Sequence, residues 1–229
     1  MRKQPIFVAV DTNNIKRAKQ IVNATNKYIY GVKFGLEFFC SKQGRLAIKQ
    51  FQNKDVKIFL DLKLKDIPNT VYKAIRSLKD LRVDYLTIHA SGGLEMMKAA
   101  KKAQSETNKK LKILAVTILT SLTNKDLKQM GSNTSVETQV QKLARTAKLA
   151  KIHGIVCSAH EIQKVRKVSK SFEIVVPGIR ISNKNVADQK RIMTPKKALK
   201  LGATHLVIGR DITQGNPKNN IQKVLKALI

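Results

Sequence analysis

Eight short runs rich in Val, Ile and Leu recur along this chain, separated by longer amphipathic stretches. The runs are Ile6–Val10, Tyr28–Phe34, Lys57–Leu62, Asp84–His89, Lys112–Leu119, Gly154–Cys157, Phe172–Val176 and Thr204–Ile208. They show little polar–apolar alternation, as expected of parallel strands buried on both faces. Between them, apolar residues return at helical spacing. Ile15, Ala18 and Val22 share one face, Val136, Val140, Leu143, Ala144 and Ala147 a second, and Ile221, Val224, Leu225 and Leu228 a third. Eight strand–helix units in 229 residues is about 29 residues per unit, the arithmetic of a compact α/β fold of the (β/α)8 TIM-barrel type.

Helix boundaries agree. Thr194-Pro195 and Asn216-Pro217 each set a capping side chain before a proline at the first helical position. Gly202 stands where a helix ending near Leu201 needs a left-handed residue. An open doubly wound sheet usually brings a glycine-rich turn after its first strand, but here that strand runs into Asp11-Thr12-Asn13-Asn14. No linker or low-complexity tract divides the chain, so residues 1–229 read as one domain.

The chain carries 45 Lys and Arg against 15 Asp and Glu, a net charge of +30. Charge alone suggests nucleic-acid binding. Three features argue against it: the lysines are spread along the whole chain, aromatic residues are 5% with no Trp, and Lys far outnumbers Arg. A positive field still favours an anionic substrate. Cys40 and Cys157 are the two cysteines and fit no zinc spacing or disulfide framework; both read as reduced packing residues. His153, His160 and His205 are scattered, so no metal is expected. No stretch approaches the roughly 18 apolar residues of a membrane span. The start, Met1-Arg2-Lys3-Gln4-Pro5, lacks a signal-peptide layout, and the reading is a cytoplasmic protein.

In such a barrel the chemistry sits at the C-terminal ends of the strands. Those ends carry Asp11, Lys33, then Asp61, Lys63 and Asp66, then His89, Thr120 and Ser121, Ser158, Pro177-Gly178-Ile179-Arg180, and Gly209-Arg210. The sharpest segment is Asp61-Leu62-Lys63-Leu64-Lys65-Asp66-Ile67-Pro68-Asn69-Thr70-Val71. Strand alternation sends Asp61 and Lys63 to the same side, and Lys33 on the preceding strand can join them. A lysine ammonium held between carboxylates can deliver a proton in a fixed direction. The carboxylates place negative charge near an anionic substrate group whose loss as CO2 relieves repulsion, with electrostatic stabilisation of the resulting carbanion ranking above that relief. Taken bare, the same charges also fit a surface salt-bridge patch on a loop.

The surrounding residues add a resemblance. Phe59 to Val71, FLDLKLKDIPNTV, is similar to the signature of orotidine 5'-phosphate decarboxylases. So are Ala115 to Ser121, Gly154 to Ala159, Val176 to Arg180 with Asp188 to Pro195, and Leu206 to Thr213, in the family's order over nearly the whole chain. The resemblance implies a cofactor-free decarboxylase that makes uridine 5'-phosphate in pyrimidine biosynthesis. It implies Lys63 as proton donor to C6, Asp61 beside the departing carboxylate, Lys33 bridging Asp61 and the ribose, and Asp11 on the ribose. It implies a homodimer in which Asp66, Ile67 and Thr70 complete the partner's site. Thr120 would meet the pyrimidine edge, with Ser121 as the competing candidate. Gln189, Gly209 and Arg210 would hold the phosphate, and Arg180 joins the substrate contacts.

The chain departs from the family in Ile181-Ser182-Asn183-Lys184, where a proline is frequent just after the arginine, in Lys65, and in its excess positive charge. His89 reads as structural or as support for the lysines. Two competing readings remain. One is a metal-dependent sugar-phosphate decarboxylase or hexulose-phosphate synthase with the same charged motif. The other is a basic nucleic-acid-binding protein.

Overall fold

The computed structural model describes residues 3–52, 55–181 and 192–228. Eight parallel strands close into a barrel in chain order. They are β1 (Gln4–Ala9), β2 (Ile29–Gly35), β3 (Lys57–Leu64), β4 (Tyr85–His89), β5 (Lys112–Val116), β6 (Gly154–Val156), β7 (Glu173–Val176) and β8 (His205–Ile208). β1 pairs with both β2 and β8, which completes the ring.

Both faces of each strand are buried, and this explains the near-continuous apolar runs. Ile6, Val8, Leu60, Leu86, Ile113, Ile155, Ile174 and Leu206 point outward into the layer shared with the helices. Phe7, Phe59, Tyr85, Leu114, Val175 and Val207 fill the barrel interior. Phe7 packs edge-on against Tyr30, Phe59 and Tyr85 at ring separations of 5.1–5.3 Å. The lower interior is therefore a packed plug, and the cavity at the C-terminal ends of the strands opens above it. No described helix is long and apolar enough to cross a membrane.

Two expectations change in detail. β5 ends at Val116 rather than Leu119. The amide and hydroxyl of Thr117 both bond to the Val156 carbonyl, at 3.1 and 3.0 Å. The chain then turns, and Ile118 to Thr120 form part of the barrel mouth. Thr194 occupies the N-cap of the helix Pro195–Lys200, but its side chain makes no capping bond. Asn216 does cap, accepting from Lys218 N and Asn219 N at 3.0 and 3.2 Å. Gly202 has φ +105°. Ala203 N bonds to Ala198 O, and Gly202 N to Leu199 O, the paired bonds of a left-handed helix terminus.

Candidate active site

The mouth of the barrel holds a cavity of about 250 Å³. Phe59, Val116, Val156 and Val207 make its apolar floor, and Ile118 and Leu119 add apolar wall. Ten of the strand-end residues singled out from the sequence line it: Asp11, Lys33, Asp61, Lys63, Thr120, Pro177, Gly178, Arg180, Gly209 and Arg210. Cys157 also lines it and is buried in the core.

One side carries a chain of alternating charges. Asp11 follows β1, Lys33 lies near the end of β2, and Asp61 and Lys63 lie on β3. Lys33 Nζ is 3.1 Å from Asp11 Oδ1 and 3.4 Å from Asp61 Oδ2. Lys63 Nζ is 2.8 Å from that same Asp61 oxygen. Two ammonium groups and two carboxylates thus neutralise one another in a half-enclosed place. Gly35 leaves the room for this: a Cβ there would stand 3.3 Å from both Lys33 Nζ and Asp11 Oδ1.

Burial alone would raise the Asp61 carboxyl. The nearby ammonium groups of Lys33 and Lys63, with hydrogen bonds from Lys63 and Thr87, outweigh it and hold the group below its ordinary value. Burial likewise pulls the Lys33 ammonium down, but Asp61 and Asp11 together raise it above its ordinary value. His89, at the end of β4, does not line the cavity. Burial, then the charges of Lys63 and Lys65, hold its imidazole below the ordinary value.

Asp61 and Lys63 point inward while Leu62 and Leu64 pack outward, so alternation holds across the motif. The hydrogen-bonded ladder does not. The pairing of β3 with β4 jumps from Leu60↔Leu86 to Leu64↔Ile88, and Lys63 takes φ +49°. A left-handed lysine in a bulged strand is strained. Its amide leaves the ladder and donates to Thr87 Oγ1 at 2.9 Å. Sequence reasoning missed Thr87. Its one signal was a polar residue in the middle of a strand whose first four residues are buried.

Arg180 follows β7 and Arg210 follows β8. In a closed ring of eight, β7 stands opposite β3, so Arg180 faces the charged array across the mouth. Arg180 is buried, and its Nε has no hydrogen-bond acceptor among the described residues. Asp211 Oδ1 lies 3.8 Å from that Nε, and Asp211 Oδ2 accepts from Ile181 N at 2.7 Å. Gly178, with φ +74°, turns the chain just before the arginine, at a backbone angle that suits glycine.

Other predicted residues lie elsewhere. Thr120 is half-buried at the cavity, while Ser121 is exposed and does not line it. Asp66, Ile67 and Thr70 are exposed and outside this chain's own cavity, on the loop after β3 and the first turn of the helix Pro68–Arg76. Gln189 lies outside the described residues. Among those residues, no group of three or more His, Cys, Asp or Glu side chains converges as a metal site would require.

A closed parallel barrel with a lysine–carboxylate array facing arginines across its mouth defines a TIM-barrel enzyme of the kind that acts on an anionic substrate. The particular family follows from comparison with known proteins. Residues 4–224 match the model of the orotidine 5'-phosphate decarboxylase / HUMPS family, and the chain belongs to that family. An orotidine 5'-phosphate decarboxylase of Wolbachia pipientis subsp. Culex pipiens is 43% identical over 226 residues, 98% of each chain. One from Sphingopyxis alaskensis is 40% identical over 225 residues, 98% of this chain and 99% of the other. The crystal structure of the Lactobacillus acidophilus enzyme of that name superposes with a TM-score of 0.84 at 33% identity, covering 99% of both chains.

Proposed function

We propose that this chain decarboxylates orotidine 5'-phosphate to uridine 5'-phosphate, a step of pyrimidine biosynthesis, with Lys63 as the proton donor. The observation that carries this reading is the unbroken sequence Asp11–Lys33–Asp61–Lys63 on one side of the cavity, set opposite Arg180. Full-length relatives named for this activity support it.

The substrate spans the mouth. Arg180 and Arg210 with the Gly209 amide take the phosphate dianion, for which charge-assisted bonds are the strong ones. Asp11 and Lys33 take the ribose hydroxyls, and Thr120 rather than the exposed Ser121 meets the pyrimidine edge. The substrate carboxylate then lies beside Asp61. When the bond from C6 to the carboxylate carbon breaks, CO2 leaves and the electron pair stays on C6. The Lys63 ammonium lies beside that carbanion, stabilises it and transfers its proton to C6. Asp61 keeps the ammonium aimed. Binding energy from the remote phosphate orients the reacting carbon.

The same proposal includes a homodimer acting in the cytoplasm. Asp66, Ile67 and Thr70 are exposed and do not line their own chain's cavity. Ile67 is 68% exposed, a bulky apolar side chain where a partner subunit would cover it.

The test is to follow the ultraviolet absorbance of orotidine 5'-phosphate with purified protein, with and without EDTA, beside Lys63→Ala. Turnover that survives EDTA and falls by roughly 10²–10⁴ in Lys63→Ala fits the loss of a positioned proton donor. No turnover by a folded wild-type protein would refute the assignment. Turnover abolished by EDTA would turn attention to the metal-dependent sugar-phosphate reading.

A further inference from the structure

Thr87 sits in the middle of β4, fully buried, and points into the barrel between Tyr85 and His89. A hydroxyl carries one proton and can accept as well. The Lys63 amide can only donate, so Thr87 Oγ1 accepts from it at 2.9 Å. The single hydroxyl proton then goes to Asp61 Oδ1, also at 2.9 Å. The oxygens of Asp61 are thereby divided: Oδ1 receives Thr87, while Oδ2 receives Lys63 and Lys33. A ring closes from the Lys63 amide through Thr87 and both oxygens of Asp61 to the Lys63 ammonium. Thr87 does not line the cavity.

We propose that Thr87 is a positioning residue for the decarboxylation, its one hydroxyl setting both the rotation of the Asp61 carboxylate and the left-handed backbone of Lys63. This rests on the function proposed above. The bulge in β3 removes the Lys63 amide from the ladder, and an amide buried without an acceptor is costly. Thr87 supplies that acceptor and so makes the strained turn tenable. Its donated bond prevents the carboxylate from rotating Oδ2 away from the two lysines. Without the hydroxyl, Lys63 loses its aim through both its backbone and its partner, while the arginines on the far side are untouched. The effect therefore falls on kcat rather than on KM.

The experiment compares Thr87→Val, Thr87→Ser and Thr87→Ala with the wild type, in full-length protein, on orotidine 5'-phosphate. Valine keeps the shape and loses the hydroxyl. Serine and alanine differ by the hydroxyl alone. Misplacement of a reacting group by a fraction of an ångström to an ångström costs on the order of 10- to 100-fold, and that is the fall in kcat expected for Val and Ala, with KM nearly unchanged and Ser close to wild type. The acid limb of the kcat–pH profile should move to higher pH in Val, because Asp61 loses a bond that holds its carboxyl down. The titratable groups facing Asp61 stay in place: Lys33, Lys63, His89, and Asp11 beyond Lys33.

A valine variant with wild-type kcat overturns the proposal, as does a serine variant as impaired as alanine. If valine fails to fold, the serine–alanine pair decides alone. Wild-type turnover in the same assay tests the decarboxylase reading separately. Were the wild type inactive, hydrogen exchange at the Lys63 amide would still decide: protection lost in Val and Ala but kept in Ser supports the proposal, and equal protection in all overturns it.

Discussion

Oδ2 of Asp61 accepts the Lys63 ammonium at 2.8 Å, although Lys63 is held in left-handed backbone at φ +49°. A lysine in that conformation costs about 1–2 kcal/mol relative to ordinary backbone, a cost glycine does not bear. Lys63→Gly should therefore unfold at a higher temperature than Lys63→Ala, by the equivalent of about 1 kcal/mol. Both variants lose the proposed proton donor, so turnover should fall alike in both. Thermal unfolding of the pair by calorimetry checks this. An alanine variant as stable as the glycine one would mean that the backbone is not strained there.

The Asp61 carboxyl is held below its ordinary value of 3.8. A depressed folded-state value means that the ionised group stabilises the fold above the unfolded value, and that this contribution is lost as pH falls through the folded one. Asp61→Asn should lower the melting temperature at neutral pH, because Lys33 and Lys63 then face each other with only Asp11 to compensate. The gap between variant and wild type should narrow below pH 3.8, where the wild-type carboxylate also becomes neutral. Lys33 has the opposite sign. Its raised value gives stability that is present below 10.5 and is lost at still higher pH. Melting curves across pH measure both, and a gap that stays constant into acid would contradict the assignment of charge to Asp61.

Asp211 offers a way to loosen the phosphate end without touching the charged array. Its carboxylate holds the Ile181 amide at 2.7 Å and stands 3.8 Å from Arg180 Nε. Asp211→Asn keeps the shape but removes the charge that steadies the arginine. The KM for orotidine 5'-phosphate should rise about fivefold, the scale of one weakened hydrogen bond or ion pair. Arg180→Ala should raise it far more. Inhibition by uridine 5'-phosphate should weaken in parallel, and inhibition by uridine should not. A fall in kcat with KM unchanged would place Asp211 elsewhere in the mechanism.

How much of this was legible in the sequence depends on which physical rule each feature obeys. The strands were readable because a parallel strand buried on both faces must be apolar throughout, and all eight runs became strands. The array was readable because opposite charges two residues apart in a strand must meet. The bulge at Lys63 was not. Glycine would have signalled left-handed backbone, but a lysine there is tolerated only because Thr87 and Asp61 hold it. Thr87 was hidden for a related reason: threonine is an ordinary strand former, and its task depends on a neighbouring strand's register. The end of β5 was misplaced because Thr117-Ile118-Leu119 continues the apolar pattern, while the Thr117 hydroxyl diverts the chain. Ser121 and Thr120 look equivalent in sequence, and only the turn that follows β5 turns one toward the cavity and exposes the other.

The exposed trio Asp66, Ile67 and Thr70 yields a prediction about subunits. If each subunit lends Asp66 to its partner, Lys63→Ala and Asp66→Ala damage different chains of one site. Each variant alone forms only defective sites. In a mixed dimer, one site combines the intact Lys63 of one chain with the intact Asp66 of the other, and the second site carries both lesions. Random reassortment makes half the dimers mixed, with one working site in two, so the mixture should recover roughly a quarter of wild-type activity per chain. The measurement is turnover after the two inactive proteins are mixed and allowed to exchange subunits. Recovery requires both a dimer and a shared site. No recovery, with exchange verified by native mass spectrometry, would mean that Asp66 serves its own chain. That outcome would demand a movement of the loop after β3, because in this structure Asp66 is exposed and its carboxylate accepts the neighbouring Ile67 amide at 2.7 Å.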